Sequence, residues 1–138
     1  MDETVMSRNG YRSGFAGLAA AMLCLSVSAP VCLARDDAEI IIFEQRGCEW
    51  CDVWNEQIAP VFPKTPEAKC ARLRRVDIHD PNADILQRIK PVIYTPTFVV
   101  MENGEEIGRV RGYAGEDFFW FHLGQQLKKL TPPCPLPN

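Results

Sequence analysis

Hydrophobic positions along the 138 residues fall into blocks of different period, and each block predicts an element. Glu39 to Gln45 (EIIIFEQ) has a continuous apolar centre of β-branched and aromatic residues, the pattern of a strand covered on both faces, and ends at Arg46-Gly47. From Cys48 the stretch CEWCDVWNEQI lacks Gly and Pro and sets Trp50, Val53, Trp54 and Ile58 at helical spacing until Pro60 and Pro63 stop it. Thr65-Pro66-Glu67 reads as an N-cap with Pro at the first helical position, opening a short helix through Cys70. Leu73 to Ile78 (LRRVDI) predicts a second strand, and Asp80 is expected to cap a helix over Ala83 to Ile89. A strand–helix–strand order implies a parallel pair with a right-handed crossover. Thr97 to Met101 and Ile107 to Arg111 flank Asn103-Gly104, a strong hairpin signal, so this pair is antiparallel. Gly115-Glu116-Asp117 opens a last helix, acidic at its start, with Lys128 and Lys129 at its end. Phe118, Trp120, Phe121, Leu123, Leu127 and Leu130 form the broad apolar face expected to pack on the sheet. The tail TPPCPLPN is too rich in proline for regular structure. This βαβ-then-ββα order predicts an α/β chain with a central mixed sheet of about four strands flanked by helices.

A different pattern precedes these elements. Arg8 and Arg12 are followed by a mostly apolar, small-residue run from Phe15 to Leu33, the layout of a secretory signal. Cleavage after Val27-Ser28-Ala29 would leave Pro30 first, whereas Cys32-Leu33-Ala34 leaves Arg35. We therefore expect residues 1–34 to be a signal peptide and 35–138 an exported domain with a Pro-rich tail from 131. The competing reading is an uncleaved anchor, since the run approaches the roughly 20 residues that span a bilayer; Ser26, Ser28 and Pro30 weaken it. Leu23 and Val31 before Cys24 and Cys32 speak against a lipoprotein signal.

Composition narrows the function. The length fits one domain, and 46% hydrophobic with 24% charged residues is ordinary globular usage. With 15 Lys+Arg against 18 Asp+Glu, net charge −3, the chain has no electrostatic footprint for nucleic acid. Cys48, Cys51, Cys70 and Cys134 lie beyond the signal run, in an export context where disulfides persist.

Cys48-Glu49-Trp50-Cys51 follows a buried strand and begins a helix inside a βαβ unit, the setting in which CxxC reads as a redox motif. Free backbone N–H groups at a helix N-terminus favour a thiolate at Cys48, the reactive form. Cys51, one turn further in, is placed to resolve a mixed disulfide formed at Cys48. A c-type haem needs His after the second Cys, where Asp52 stands. A zinc site would show a second close pair, which Cys70 and Cys134 do not make. A purely structural Cys48–Cys51 disulfide stays open, although so short a loop constrains the unfolded chain little.

Tyr94-Thr95-Pro96-Thr97 stands directly before the strand TFVVM. The whole pattern, a CxxC after the first core strand, a TP before the third, a hairpin and a closing helix, resembles the thioredoxin superfamily over nearly all of residues 38 to 130. Within it, FEQRGCEWCDVWNEQIAPVFPKTPE, LRRVDIHD and YTPTFVVMENGEEIGRVRGYAGEDFFW are most similar to the periplasmic thioredoxin-like proteins of bacterial sulfur-oxidation gene clusters, the SoxS type. The resemblance implies a thioredoxin-like fold and a periplasmic thiol–disulfide oxidoreductase that needs no cofactor. It also implies that Thr95-Pro96 is cis beside Cys48, with the Thr95 backbone free to pair with an extended substrate. It further implies a reductant of disulfides or persulfide adducts on a protein substrate such as a sulfur carrier, supplied with electrons by a membrane thiol transporter.

The chain departs from the common thioredoxin pattern at two places. CEWC replaces CGPC, and Ile42 replaces the acid usual six residues before the first Cys. Glu44 and Glu49 are candidates for tuning the pair, although surface carboxylates are the blander reading; Glu49 between the cysteines should oppose the thiolate and favour a reducing poise. Trp50 is expected on the surface around the motif, where it could contact substrate, with Trp54 and Trp120 in the core. Cys70 and Cys134 are either two separate thiols or a disulfide pinning the tail, because spacing does not establish that their Cα atoms approach within about 7 Å. His79 and His122 lack ligand partners, and Arg72, Arg74 and Arg75 read as a solvated edge or, less simply, as a site for an acidic partner. Two other functions use the same residues: an oxidant or isomerase of exported proteins, and a redox-inert module that holds a peptide around Trp50 and Pro96.

Overall fold

The computed structural model describes residues 36–136. The expected signal peptide and its Ala34/Arg35 cleavage point lie outside them. Four strands, β1 (Ala38–Glu44), β2 (Arg72–Asp77), β3 (Thr97–Glu102) and β4 (Glu105–Arg111), form one mixed sheet in the order β2-β1-β3-β4. β1 and β2 are parallel, and β1–β3 and β3–β4 antiparallel. Three helices accompany the sheet, α1 (Glu49–Gln57), α2 (Pro66–Cys70) and α3 (Glu116–Leu127).

β1 sits in the middle of the sheet and is covered on both sides, as its unbroken apolar run requires. Ile40 and Ile42 point into a core with Trp54, Ile58, Phe62, Phe98, Val100, Phe119 and Leu123. Ile41 and Phe43 point the other way, into a smaller core with Val76, Ala83, Ile85, Val99 and Met101. Period-two alternation thus splits one strand between two cores. The β3–β4 turn is a two-residue loop with Asn103 at φ 52° and Gly104 at φ 82°, the left-handed pair a tight hairpin demands.

Two expectations are corrected. The helix expected over Ala83 to Ile89 is only a 3₁₀ turn, Asp84–Gln87. Asp80 accepts from the backbone N–H of Asn82 at 2.9 Å, a local turn that competes with a helix cap, and Pro91 steers the preceding backbone away from α. On α3 the buried stripe is Phe119, Leu123 and Leu127, spaced four apart and followed by Leu130, while Phe118 and Phe121 are exposed and Trp120 half-buried. Phe119 meets Trp54, Phe98 and Tyr113 at centroid distances of 5.8, 4.8 and 6.1 Å, so the helix turns that ring, not Phe118, to the sheet.

Candidate active site

The β1–α1 junction puts sulfur at the end of the sheet. Gly47, at φ 74°, lets the chain reverse after β1. Cys48 then takes the N-cap of α1 with extended backbone (φ −88°, ψ 99°), and its sulfur accepts from the backbone N–H of Cys51 at 3.2 Å. An N-cap acceptor is normally an oxygen; here the sulfur fills that place, and the same N–H would stabilise a thiolate. Cys48 and Cys51 are joined as a disulfide with Cα atoms 5.2 Å apart. Both are buried, and one turn further along α1 Trp54 anchors the helix in the core, 5.4 Å from Phe98.

The segment before β3 arrives at the same sheet end. Thr97 pairs with Phe43, so Pro96 stands beside the last residues of β1 from which the Cys48 turn departs. The Thr95–Pro96 peptide bond is cis. Thr97 Oγ1 donates to the carbonyl of Tyr94 at 2.7 Å, and the Pro96 carbonyl accepts from the N–H of Gly112 at 2.7 Å. Pro96 is buried and Thr95 half-buried. Trp50 (57%), Tyr94 (65%) and Ile93 (76%) are exposed.

Ile93 and Tyr94 escaped the sequence reading as surface residues. The signal was present in Pro91-Val-Ile-Tyr-Thr-Pro96: two prolines so close prevent a regular strand, and apolar residues there have no ladder to join. The two carboxylates singled out near the motif occupy different settings. Glu44 is held by Arg75, whose Nε donates to Oε1 at 2.7 Å and whose guanidinium also bonds Asn55 and lies 5.8 Å from the Trp54 ring centroid. Glu49 is exposed in the first turn of α1. Ile42, in the position of the usual buried acid, lies fully within the apolar core.

Tyr113 closes the far side of α1. Its buried hydroxyl donates to Gln57 Oε1 at 2.7 Å; burial, then the charge of Glu116, pushes the phenol above its ordinary 10 and keeps it a donor. The second pair, Cys70 and Cys134, is also a disulfide, Cα to Cα 5.7 Å, linking the last residue of α2 to the tail. Arg72 and Arg74 pair with Glu39, and Arg75 with Glu44, so all three arginines of β2 are engaged by carboxylates of β1. His79 Nε2 lies 2.9 Å from Gln45 Oε1, and the His122 ring packs between Phe118 and Phe121. Among the described residues no group of three His, Cys, Asp or Glu could hold a metal ion, and no helix is long and apolar enough to cross a membrane.

No family model matches the chain, and no curated protein does. Solved structures do. The periplasmic thioredoxin SoxS of Paracoccus pantotrophus is 43% identical, the match covering 64% of this chain and 94% of that one with TM-score 0.60. The thioredoxin of Malassezia sympodialis is 28% identical over 69% and 79% of the two chains, TM-score 0.51. That of Fasciola hepatica, at 22% identity, 69% and 84% coverage and TM-score 0.51, shares the fold. With nearly the full length of a solved thioredoxin matched and a CxxC pair at the mouth of β1, the chain belongs to the thioredoxin superfamily and is a thiol–disulfide oxidoreductase.

Proposed function

We propose that the protein works in the periplasm as a reductant of disulfides, or of persulfide and thiol adducts, on a partner protein. The observation that carries exchange with a partner is the place of Cys48, at the N-cap of α1, one turn before Cys51 and at the sheet end where the Thr95–Pro96 segment arrives; the reducing direction is inferred from the similarity to a periplasmic thioredoxin. The similarity to a periplasmic thioredoxin supports the compartment and suits a sulfur-carrier protein as substrate. A membrane thiol transporter is the proposed source of electrons, and residues 1–34 the proposed export signal, leaving 35–138 as the working domain.

The chemistry follows from the pair. The Cys48 thiolate attacks one sulfur of the substrate disulfide, forming a mixed disulfide and releasing one substrate thiolate. Cys51 then attacks the Cys48 sulfur, releasing the second substrate thiol and leaving the Cys48–Cys51 disulfide. Two electrons pass from the pair to the substrate. Trp50 and Pro96, with the Thr95 backbone, form the surface against which an extended substrate segment lies, Thr95 offering main-chain hydrogen bonds in the manner of an added strand. Ile93 and Tyr94 extend that surface. Glu49 sets a negative charge beside the pair that favours the thiol over the thiolate, whereas the Arg75 ion pair partly neutralises Glu44.

The test is made in cells and in vitro. Acid-quenching growing cells and tagging free thiols with a mass-adding alkylator, in a Cys70→Ser/Cys134→Ser background, should find Cys48 and Cys51 mostly reduced. A pair that stays oxidised without substrate load would instead indicate an oxidant of exported proteins. Purified protein should reduce insulin disulfides, Cys51→Ser should accumulate a mixed disulfide through Cys48, and a redox-inert binding module would do neither.

A further inference from the structure

The edge strand β4 carries an ion pair that strand geometry alone would not allow. Residues three apart on a strand point to opposite faces. Glu106 and Arg109 nevertheless meet, with Nε to Oε1 and Nη2 to Oε2 both at 2.6 Å. The cause is a β-bulge: Val100 pairs with Gly108 but Met101 with Glu106, so Ile107 is an extra residue. Arg109 therefore lies opposite Val99 and Glu106 opposite Met101, both on the face of the smaller core. The two side chains are 7% and 12% exposed, and the bidentate geometry is the strong form of a carboxylate–guanidinium pair.

The pair does more than hold itself. Arg109 Nη2 donates to the carbonyl of Lys90 at 2.9 Å and Nη1 to that of Pro91 at 3.2 Å, while Glu106 Oε2 accepts from the N–H of Lys90 at 3.3 Å. Residues 90 and 91 lie outside any strand or helix, so this edge supplies backbone partners they otherwise lack. Three residues after Pro91 the chain is fixed again, by Thr97 on the Tyr94 carbonyl, and two further on by Gly112 on that of Pro96. Within the stretch so held, the side chains of Ile93 and Tyr94 stand in solvent.

We propose that Arg109 and Glu106 are positioning residues for substrate binding: they grip Lys90 and Pro91 and so hold the Val92–Thr95 segment in the shape that a protein substrate meets beside Cys48. The inference rests on the reductant reading and adds to it the residues that set affinity for a protein substrate as distinct from a small disulfide. The guanidinium fork is the essential part, since a lysine in its place would keep the charge opposite Glu106 but could not reach both carbonyls and both carboxylate oxygens.

Arg109→Lys is therefore the informative variant; Arg109→Ala would strip the largely buried Glu106 carboxylate of its guanidinium partner and could simply unfold. With insulin as the protein disulfide, Arg109→Lys should raise KM roughly tenfold, as expected for loss of a preorganised binding segment, while kcat changes little. With hydroxyethyl disulfide, too small to span the segment, its rate should stay within about twofold of wild type. Equal losses on both substrates, or wild-type behaviour on both, would overturn the proposal, the second because the charge alone would then suffice. Amide hydrogen exchange at Val92 to Thr95 reads the grip without any turnover: it should be faster in Arg109→Lys, and unchanged exchange there would overturn the proposal too. Should the wild type reduce neither substrate, the reductant reading fails, while the exchange measurement still decides whether the grip exists.

Discussion

The two disulfides are nearly alike by burial and differ in loop length and in what surrounds their sulfur atoms. Cys48 and Cys51 are 7% and 2% exposed, Cys70 and Cys134 8% and 6%, so accessibility does not distinguish them. Position does. Cys48 caps a nine-residue helix, takes an N–H on its sulfur and bonds a cysteine three residues away. Cys70 ends a five-residue helix and bonds a tail cysteine 64 positions away. In the chain-entropy picture the long loop is worth about 4 kcal/mol of stability and the short one about 2 kcal/mol. The tail pair fixes structure: Cys134 N–H bonds the Leu127 carbonyl, and Cys134 and Leu136 pack on the core that α3 closes. The helix-capping pair gives up less stability when reduced and has a thiolate-stabilising environment ready for the product of reduction.

The largest expected effect separates the pairs by activity. Cys48→Ser should lower insulin reduction by at least about 10³-fold, as loss of a nucleophile does, whereas Cys70→Ser/Cys134→Ser should leave it within about twofold. The same double variant should lose about 2–4 kcal/mol in denaturant unfolding, or roughly 10–20 °C in Tm. Equal stability with and without the tail disulfide would mean that the strap carries no load.

A smaller effect probes the ion pair behind the Ile93–Tyr94 segment. Burial alone would raise the carboxyl of Glu106, but the hydrogen bond and charge of Arg109, with the Lys90 N–H and charge, outweigh it and hold it below its ordinary 4.5. Arg111 and Lys129 line the same depression. A folded value below the unfolded one contributes stability that is fully present above the unfolded value and fades as pH falls through the folded one. Wild type should thus exceed Glu106→Gln in denaturant midpoint by a constant margin near neutral pH, and the margin should shrink below pH 4.5. A margin that persists into acid would mean that the carboxylate charge is not what the Arg109 fork holds. The smallest effect belongs to Glu49, whose exposed carboxylate adjoins Cys48. Removing one unit charge at that range in water should speed alkylation of reduced Cys48 about threefold in Glu49→Gln at low salt, and less at high salt.

What the sequence revealed of this molecule divides along physical lines. β1, the CxxC turn and the Asn103-Gly104 hairpin are written in local periodicity and in residues that only a turn accepts, so they could be read without tertiary information. The 83–89 segment could not: its apolar residues face the second core, and an Asx turn at Asp80 prevails over helix spacing. On α3 six apolar residues compete for one face, and only packing against Trp54 and Phe98 selects Phe119. Of the candidate site, Cys48 and Cys51 were visible as a motif, and Trp50 as an aromatic between them. The meeting of Cys70 with Cys134 depends on a fold spanning 64 positions. The Arg109–Glu106 pair was hidden more thoroughly, because a single bulge residue reverses the parity by which strand faces are read.

Of the two disulfides, the Cys48–Cys51 pair should exchange and the Cys70–Cys134 pair should not. The direct measurement is a reductive titration of purified protein in thiol/disulfide buffers of stepwise lower potential, each step acid-quenched, alkylated and read by peptide mass spectrometry for the two pairs separately. Cys48 and Cys51 should become alkylated over a range in which Cys70–Cys134 stays intact. Simultaneous reduction of both pairs, or reduction of Cys70–Cys134 first, would contradict this.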